Sequence, residues 1–369
     1  MASYPRVWAE VNLDNIKHNI KTIKKLLHSK ALFMAVVKAD GYGHGAVQVS
    51  KAALEAGADR LGVATIDEAS QLRNAGIKAP IHLLIGFEKE KASRIVKLNL
   101  IPAVYADEQI KALNRFKKKI NVHVKVDTGM GRIGLRPERI AAFVKEIKKS
   151  KNIKVEGVFT HLATADVANN PNTKRQLKTF NRVIRSLAAQ GISYKLNHAA
   201  NSAATILYPG SRLQMVRIGI ALYGLQPSEA TKGKIKLKPA LSLKSKLSFV
   251  KDYKAEHSVS YGATYTLKKD SVIGTVPVGY ADGYSRVLSG DTCVLIGGKK
   301  VKQVGRICMD QFMVDLNEVK AKEGDKVVLI GKQNGLEISA DYLAEILKTI
   351  NYEIVCSIAS RVPRFYEEL

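Results

Sequence analysis

The chain has 369 residues, 46% of them apolar and 25% charged, the balance of a soluble globular protein with two or three domains. No apolar run approaches the roughly 18 residues that cross a bilayer, and three scattered cysteines (Cys293, Cys308, Cys356) exclude a disulfide framework and a CxxC zinc site. The 59 basic against 33 acidic side chains leave a net charge of +26. Lysines cluster only locally, at 117–119, 148–151, 232–238, 268–269 and 299–302, with no nucleic-acid-binding motif beside them, so the charge reads as a solvated basic surface that attracts anions rather than as a nucleic-acid interface. The opening MASYPRVWAEVNLDNIKHN lacks a basic stretch followed by an apolar one, so a cytoplasmic protein is expected.

The first element is a helix, with Leu13, Ile16, Ile20, Ile23 and Leu27 on one stripe. Eight β-branched runs follow: LFMAVVKAD (32–40), DRLGVATI (59–66), PIHLLIG (80–86), LIPAVYAD (100–107), INVHVKVDTG (120–129), KVEGVFTHLA (154–163), YKLNHAANS (194–202) and MVRIGIALYG (215–224). Segments of helical spacing separate them, among them GAVQVSKAALEAG, TIDEASQLRNAG, PERIAAFVKEIKK and TKRQLKTFNRVIRSLAAQG. Strands alternating with helices predict buried parallel strands, and the span matches an α/β fold of the (β/α)8 TIM-barrel type. A doubly wound open sheet competes, but no GxGxxG follows the first strand.

From TKGKIKLKP, which reads as an exposed linker, the pattern becomes β-rich. LSLKSKLSF alternates apolar and polar residues, and VIGTVPVGY, TCVLIGGKKVKQVG, ICMDQFMVDL and DKVVLIG read as further strands, the second with a Gly-Gly hairpin turn. One late helix, DYLAEILKTI, sets Leu343, Ile346, Leu347 and Ile350 on a face. The predicted domains are therefore residues 1–236 and a mostly-β domain, 237–369.

In a parallel barrel, reactive groups sit where strands end. Lys38 ends the first run. As a neutral amine it suits Schiff-base chemistry, whereas as an ammonium it is a cation at a strand end with its stem on apolar surface. Asn201 and Ser202 open a helix after the seventh run, either as an ordinary cap or as a phosphate site shared with Gly219 after the eighth. Lys125 and Arg132 flank a Gly-rich turn at the fifth, His161 follows the sixth, and Arg217 lies on the eighth. Each of these also fits a structural ion pair.

In order along the chain, AVVKADGYGHG, KVDTGMGRIG, THLATAD, HAANSAAT, MVRIGIALYG, VSYGATY, VGYADG, VGRICMDQ and TINYEIVCSIASRVPR resemble the alanine racemase family from about Trp8 to Tyr366. The resemblance implies a barrel followed by a β domain, with the first ~10 residues pairing into the second domain. It implies pyridoxal 5′-phosphate on Lys38 as a Schiff base, and Tyr261 as a second base supplied across a homodimer. The substrates implied are L- and D-alanine, with D-alanine destined for peptidoglycan. Proton removal on one face and return on the other needs two groups. A tyrosine is a poor base near its ordinary pKa of about 10, and the family pattern puts His161 and Arg217 close enough to favour its phenolate.

The same resemblance aims Arg217 at the pyridine nitrogen, where a guanidinium keeps its proton. It assigns Tyr42, Ser202, Gly219, Ile220 and Tyr352 to the phosphate. It sets Arg132 on the cofactor phenolic oxygen and the substrate carboxylate, and the Met309 backbone amide on that carboxylate. Lys125 matches a lysine often carbamylated, and Tyr280, Arg306 and Asp310 match an access channel. The rivals are a broad-specificity amino-acid racemase, a barrel decarboxylase and a non-catalytic cofactor carrier. A decarboxylase would pair the pyridine nitrogen with a carboxylate instead of Arg217, and a carrier would lack the domain holding Tyr261. No metal, nucleic acid or membrane is expected.

Overall fold

The computed structural model describes residues 5–367, which divide into two compact units: Asp14–Pro239, and Ala240 onward joined by the segment through Leu13. In the first unit all eight expected strands form, as Leu32–Val36, Arg60–Val63, Ile81–Leu83, Leu100–Val104, Ile120–Lys125, Ile153–Phe159, Leu196–His198 and Met215–Ile218. Each pairs in parallel with the next through the seventh, and the eighth pairs back with the first, Leu32 opposite Met215. Between the seventh and eighth, Gln214 N–H donates to the Asn197 carbonyl at 3.1 Å and Arg217 N–H to that of Ala200 at 3.0 Å, which closes the (β/α)8 barrel.

Helices form where the apolar stripes lie. In Leu13–Lys24, Ile16, Ile20 and Ile23 are fully buried; Leu27 falls beyond the helix end. Ile140–Lys148 buries Ile140, Phe143, Val144 and Ile147 on one face. The first expected strand run proves too long at its C-terminal side. The strand stops at Val36, and Ala39, Asp40, Gly41 and Tyr42 all take left-handed φ values near +50 to +60°. The residues after 236 do not behave as a free linker. Asn19, fully buried, accepts from Lys238 N–H at 2.8 Å and donates to the carbonyls of Lys238 and Leu222 at 2.9 and 3.1 Å. Asn15 donates to the Pro239 carbonyl at 2.8 Å, so 237–239 stays with the barrel unit.

The second unit is mostly β. Val7–Asn12 lies between antiparallel Leu241–Lys246 and parallel Arg364–Glu367, so both ends of the described chain share one sheet. Leu241, Leu243 and Ser245 are its buried face, as the alternation predicts. Cys293–Ile296 and Lys299–Val304 form the expected hairpin. The late helix is shorter than its pattern. It spans Ala340–Ile346 because Lys348 adopts φ 52° and the Thr349 N–H returns to the Ala344 carbonyl, and Ile350 ends up exposed ahead of a second helix, Asn351–Cys356.

Asn19→Ala removes three bonds, leaving the buried Leu222 carbonyl and the part-buried backbone N–H and carbonyl of Lys238 without this partner. It should lower barrel stability by about 2–4 kcal/mol, seen as a lower urea midpoint at unchanged slope; an unshifted midpoint would contradict this role.

Candidate active site

The barrel's parallel strands bring their C-terminal ends to one mouth. Lys38 follows the first strand, Lys125 ends the fifth, His161 follows the sixth, Ser202 opens the helix after the seventh, and Arg217 lies in the eighth. Lys38 stands at the start of the left-handed turn, with its Nζ 6.0 Å from the Tyr42 ring centroid. Non-glycine residues in that conformation cost about 1–2 kcal/mol each, so the surroundings must impose it. The Glu68 carboxylate does so from the neighbouring helix, accepting from Ala39 N–H at 2.8 Å while its other oxygen takes Ala64 and Thr65 N–H at 2.7 and 3.0 Å. Asp40 accepts from Ala46 N–H at 2.9 Å, which closes the turn from the other side. Glu68 was legible as the last residue of a Thr-x-x-Glu capping box; its grip on the residue after Lys38 was not.

Asn201 caps Ser202–Leu207 by accepting from Ala204 N–H at 2.9 Å. The Ser202 hydroxyl accepts from Gly219 N–H at 2.9 Å and Ala221 N–H at 3.4 Å, tying the helix start to the Ile220–Tyr223 turn. A side-chain carbon at Gly219 would stand 2.6 Å from the Tyr42 hydroxyl, so only glycine lets that phenol into the cup. Ser202, Tyr42, Gly219 and Ile220 thus meet, with backbone amides and hydroxyls of the kind that bind phosphate.

Arg217 is buried and is the hub of the barrel interior. Its Nη2 donates to the carbonyls of Thr160 and Ala199 at 2.8 and 3.0 Å and lies 3.3 Å from His161 Nδ1. Its Nη1 lies 2.9 Å from His198 Nδ1, His198 Nε2 lies 2.7 Å from His123 Nδ1, and His123 Nε2 lies 3.1 Å from Glu156 Oε2. A guanidinium only donates. His198 must therefore accept at Nδ1 and donate from Nε2, and His123 must do the same toward Glu156. Glu156 receives both forks of Arg60 at 2.8 and 2.9 Å, and Arg60 also reaches His82 Nε2 at 3.1 Å. His82, His123 and Glu156 have ligand-type atoms close enough for a metal, yet the Arg60 guanidinium already occupies two of the three. The residues alone do not announce this network; its trace in the sequence is a polar residue inside each of four strand runs, PIHLL, INVHVKV, KVEGV and KLNHA.

Burial holds His82 and His198 well below the usual imidazole range and lowers His123, with neighbouring cations adding to this. His161 is likewise pushed well down by burial and then by Arg217. Burial draws Arg217 down to about 9, still charged at neutrality. Lys125 is 4% exposed, its Nζ 4.2 Å over the Phe159 ring, and burial followed by Arg217 and Arg132 pushes its ammonium well down. Asp127 gathers the N–H groups of Gly129, Met130 and Gly131 at 2.9–3.1 Å, which shapes the turn leading to Arg132. Gln176 fixes the His161 loop by donating to the His161 carbonyl at 3.1 Å and accepting from Ala163 N–H at 2.9 Å.

The remaining candidates belong to the second unit. Tyr261 is 70% exposed on a turn whose Ser260 hydroxyl donates to the Arg306 carbonyl at 2.6 Å. Met309, also exposed, accepts at its carbonyl from Ala281 N–H at 3.0 Å, and the Cys308 carbonyl accepts from Tyr280 N–H at 3.1 Å. Gly279 permits this approach, since a side-chain carbon there would fall 2.3 Å from the Cys308 carbonyl. Tyr261, Tyr280, Arg306, Met309 and Asp310 are thereby carried by interlocked turns, with Asp310 held by Arg361 at 2.7 Å. Tyr352 is half-buried in Asn351–Cys356.

Two family models match the chain: the alanine racemase N-terminal domain over residues 11–227 and its C-terminal domain over 240–366. The alanine racemase of Symbiobacterium thermophilum is 48% identical over 364 residues, 97% of this chain and 96% of that one. Alanine racemase 2 of Bacillus subtilis is 45% identical, covering 98% of this chain and 94% of its own. Among solved structures, alanine racemase from Bacillus anthracis with bound L-Ala-P superposes with a TM-score of 0.94 at 41% identity, covering 100% of this chain and 96% of that one. That of Streptomyces lavendulae gives 0.94 at 36%, covering 100% and 98%.

Three neutral interior histidines make stability depend on pH. Unfolded, each titrates near 6.5, above its lowered folded value, so on acidification the unfolded chain binds more protons. Stability is complete above about pH 6.5 and falls below it by up to about 1.4 kcal/mol per pH unit per histidine. The Glu156 carboxylate has the opposite starting point. Hydrogen bonds from His123 and Arg60 outweigh its burial and hold it far below the usual range, so its contribution persists until the pH falls through about 4. The thermal midpoint should thus drop steeply between pH 7 and 5; a flat profile would refute neutral histidines.

Proposed function

The chain belongs to the alanine racemase family, an isomerase family, and on that footing we propose that it interconverts L- and D-alanine with pyridoxal 5′-phosphate attached to Lys38. The observation that carries this reading is the fit of the barrel mouth to such a cofactor. An amine sits on an imposed turn, and a cup of hydroxyls and amides is kept open by the bare Gly219. A donor-only guanidinium stands on the barrel interior behind them. When bound, the cofactor's conjugated ring takes up the electron pair of the substrate's Cα–H bond and so acidifies that proton.

The chain's own residues do the rest. Lys38 takes or returns the proton on one face of the substrate, and Tyr261 of a second copy does so on the other, which makes the working form a homodimer. Arg217 would be the residue that meets the pyridine nitrogen, and because a guanidinium keeps its proton it would leave that nitrogen unprotonated. A carboxylate there would favour decarboxylation or transamination instead. Ser202, Gly219, Ile220, Tyr42 and Tyr352 bind the phosphate, with Asn201 holding the helix start in place. Arg132 orients the substrate carboxylate bidentately, joined by the Met309 amide. His161, neutral beside Arg217, lines the mouth.

Lys125 is the point of carbamylation in this reading. Burial among cations favours its neutral amine, which adds carbon dioxide at nitrogen, loses a proton and becomes an anion opposite Arg132. Tyr280, Arg306 and Asp310 narrow the entry. The product D-alanine serves peptidoglycan, and the protein works in the cytoplasm.

Borohydride reduction followed by peptide mass mapping should find the cofactor on Lys38; a label on another lysine overturns the attachment. In heavy water, Tyr261→Phe should slow α-proton exchange of L-alanine by about 10²–10⁴-fold and that of D-alanine far less. Equal losses would refute the assignment of faces. Mixing Lys38→Ala and Tyr261→Ala chains should restore activity through heterodimers carrying one intact site, and no recovery would refute a shared site.

A further inference from the structure

The barrel's other end is also concave. Where the parallel strands begin, a cavity of about 190 Å³ is lined by Arg60, Arg73, Lys78, Lys118 and Lys119, with Glu156 as its one carboxylate. Arg60 opens the second strand, and Pro80, Leu100 and Ile120 mark the start of the third, fourth and fifth, so the cavity lies on the face opposite Lys38. Glu156 is already committed to Arg60 through two bonds. The other four cations have no carboxylate partner among the described residues.

Two of these cations are pinned rather than loose. The Arg73 guanidinium donates to the carbonyls of Leu98, Ile77, Ala79 and Asn99 at 2.7–3.2 Å, and Lys118 Nζ donates to that of Val96 at 3.2 Å. Carbonyls satisfy N–H groups without cancelling a formal charge. The cavity therefore carries an uncompensated charge of about +4, counted from five cations and one carboxylate, and like charges gathered in a concavity repel.

We propose that this N-terminal mouth of the barrel binds a small, multiply charged phosphate anion, a site separate from the cofactor cup. Size and chemistry select the class. One water needs roughly 15 Å³ of such space, so the cavity has room for a compound anion rather than a lone ion. Lysine ammoniums on the rim, each with three donors, suit tetrahedral phosphate oxygens. Arg60 and Arg73, held by other partners, supply fixed positive field at the floor and wall. A nucleic-acid strand is the poorer fit, because the charge is confined to a cavity and no exposed aromatic lines it for base stacking.

The probe is inorganic pyrophosphate, titrated calorimetrically into the full chain as purified, at fixed ionic strength. Saturable binding of one pyrophosphate per chain is expected. It should weaken at least tenfold in Lys78→Glu/Lys119→Glu and remain unchanged in the control Lys300→Glu/Lys302→Glu. Both targeted lysines are exposed, and the unliganded double variant should melt no lower than the parent, since reversal relieves repulsion. At a hundredfold excess over Kd, pyrophosphate should raise the parent's melting temperature by roughly 5 °C and the double variant's far less. Absence of saturable heat, equal affinity in parent and double variant, or tighter binding of a single-stranded oligonucleotide with the same lysine dependence would each overturn the proposal.

Discussion

A guanidinium buried on the barrel axis organises the rest of this molecule. Arg217 has no way to accept a hydrogen bond, and this polarity propagates. It forces one tautomer on His198, His198 forces the same on His123, and the chain ends at a carboxylate, Glu156. Removing a charge from water costs several kcal/mol even after relaxation. Here the cost is offset by four acceptors around Arg217, two carbonyls and two imidazole nitrogens, and by a negative group connected through two neutral rings. Phe159 adds to this, stacked on His198 at 4.7 Å with the Arg217 guanidinium 5.5 Å from its centroid. The segment carrying His161, just past the sixth strand, and the strand that carries Arg217 are thereby locked together before any ligand arrives. This is what preorganisation means in atomic terms.

The mouth above that network is fixed by a different device, backbone strain held by side chains. Four consecutive left-handed residues after the first strand would not persist alone. Glu68 and Asp40 clamp them from both sides, so the lysine at the start of the turn is aimed by neighbours on the next βα unit. The second unit follows another logic. Its interlocked turns carry an exposed phenol, Tyr261. In the proposed reading of two opposed bases, that exposed phenol is the one a second copy of the chain would supply.

Much of this could be read in the residues. Strand ends place Lys38, Arg217, His161 and Ser202 at one mouth as soon as the alternation of strands and helices is recognised, because in a parallel barrel every strand points the same way. Gly219 was legible as a close approach, though not that Tyr42 is what approaches. The left-handed turn was not legible, since only Gly41 of its four residues favours that conformation and the constraint comes from Glu68, distant in sequence. The interior histidines escaped because a single polar residue in an apolar strand carries no sign of its partners; four such residues become a network only once the barrel closes. The role of Tyr261 came from family resemblance alone, as an aromatic at a turn says nothing by itself. The late helix was overread because Leu343, Ile346 and Leu347 continue in pattern to Ile350 while Lys348 reverses the chain between them.

The charge excess is the remaining feature to place, and the two kinds of cation at the strand starts separate cleanly. Arg73 has a structural reason to be there. Its guanidinium ties the turn at Ile77 and Ala79 to the one at Leu98 and Asn99, joining the loops of two successive βα units with four bonds that no neutral side chain could make at once. Its charge is a by-product of that geometry. Lys78 and Lys119 have no such reason, being exposed, without an ion pair among the described residues, and lining the same cavity as the pinned Arg73. The usual task of a barrel's N-terminal face is stability, and unneutralised charges gathered there work against it. Charges that serve no internal bond are the ones available to the anion proposed for that mouth.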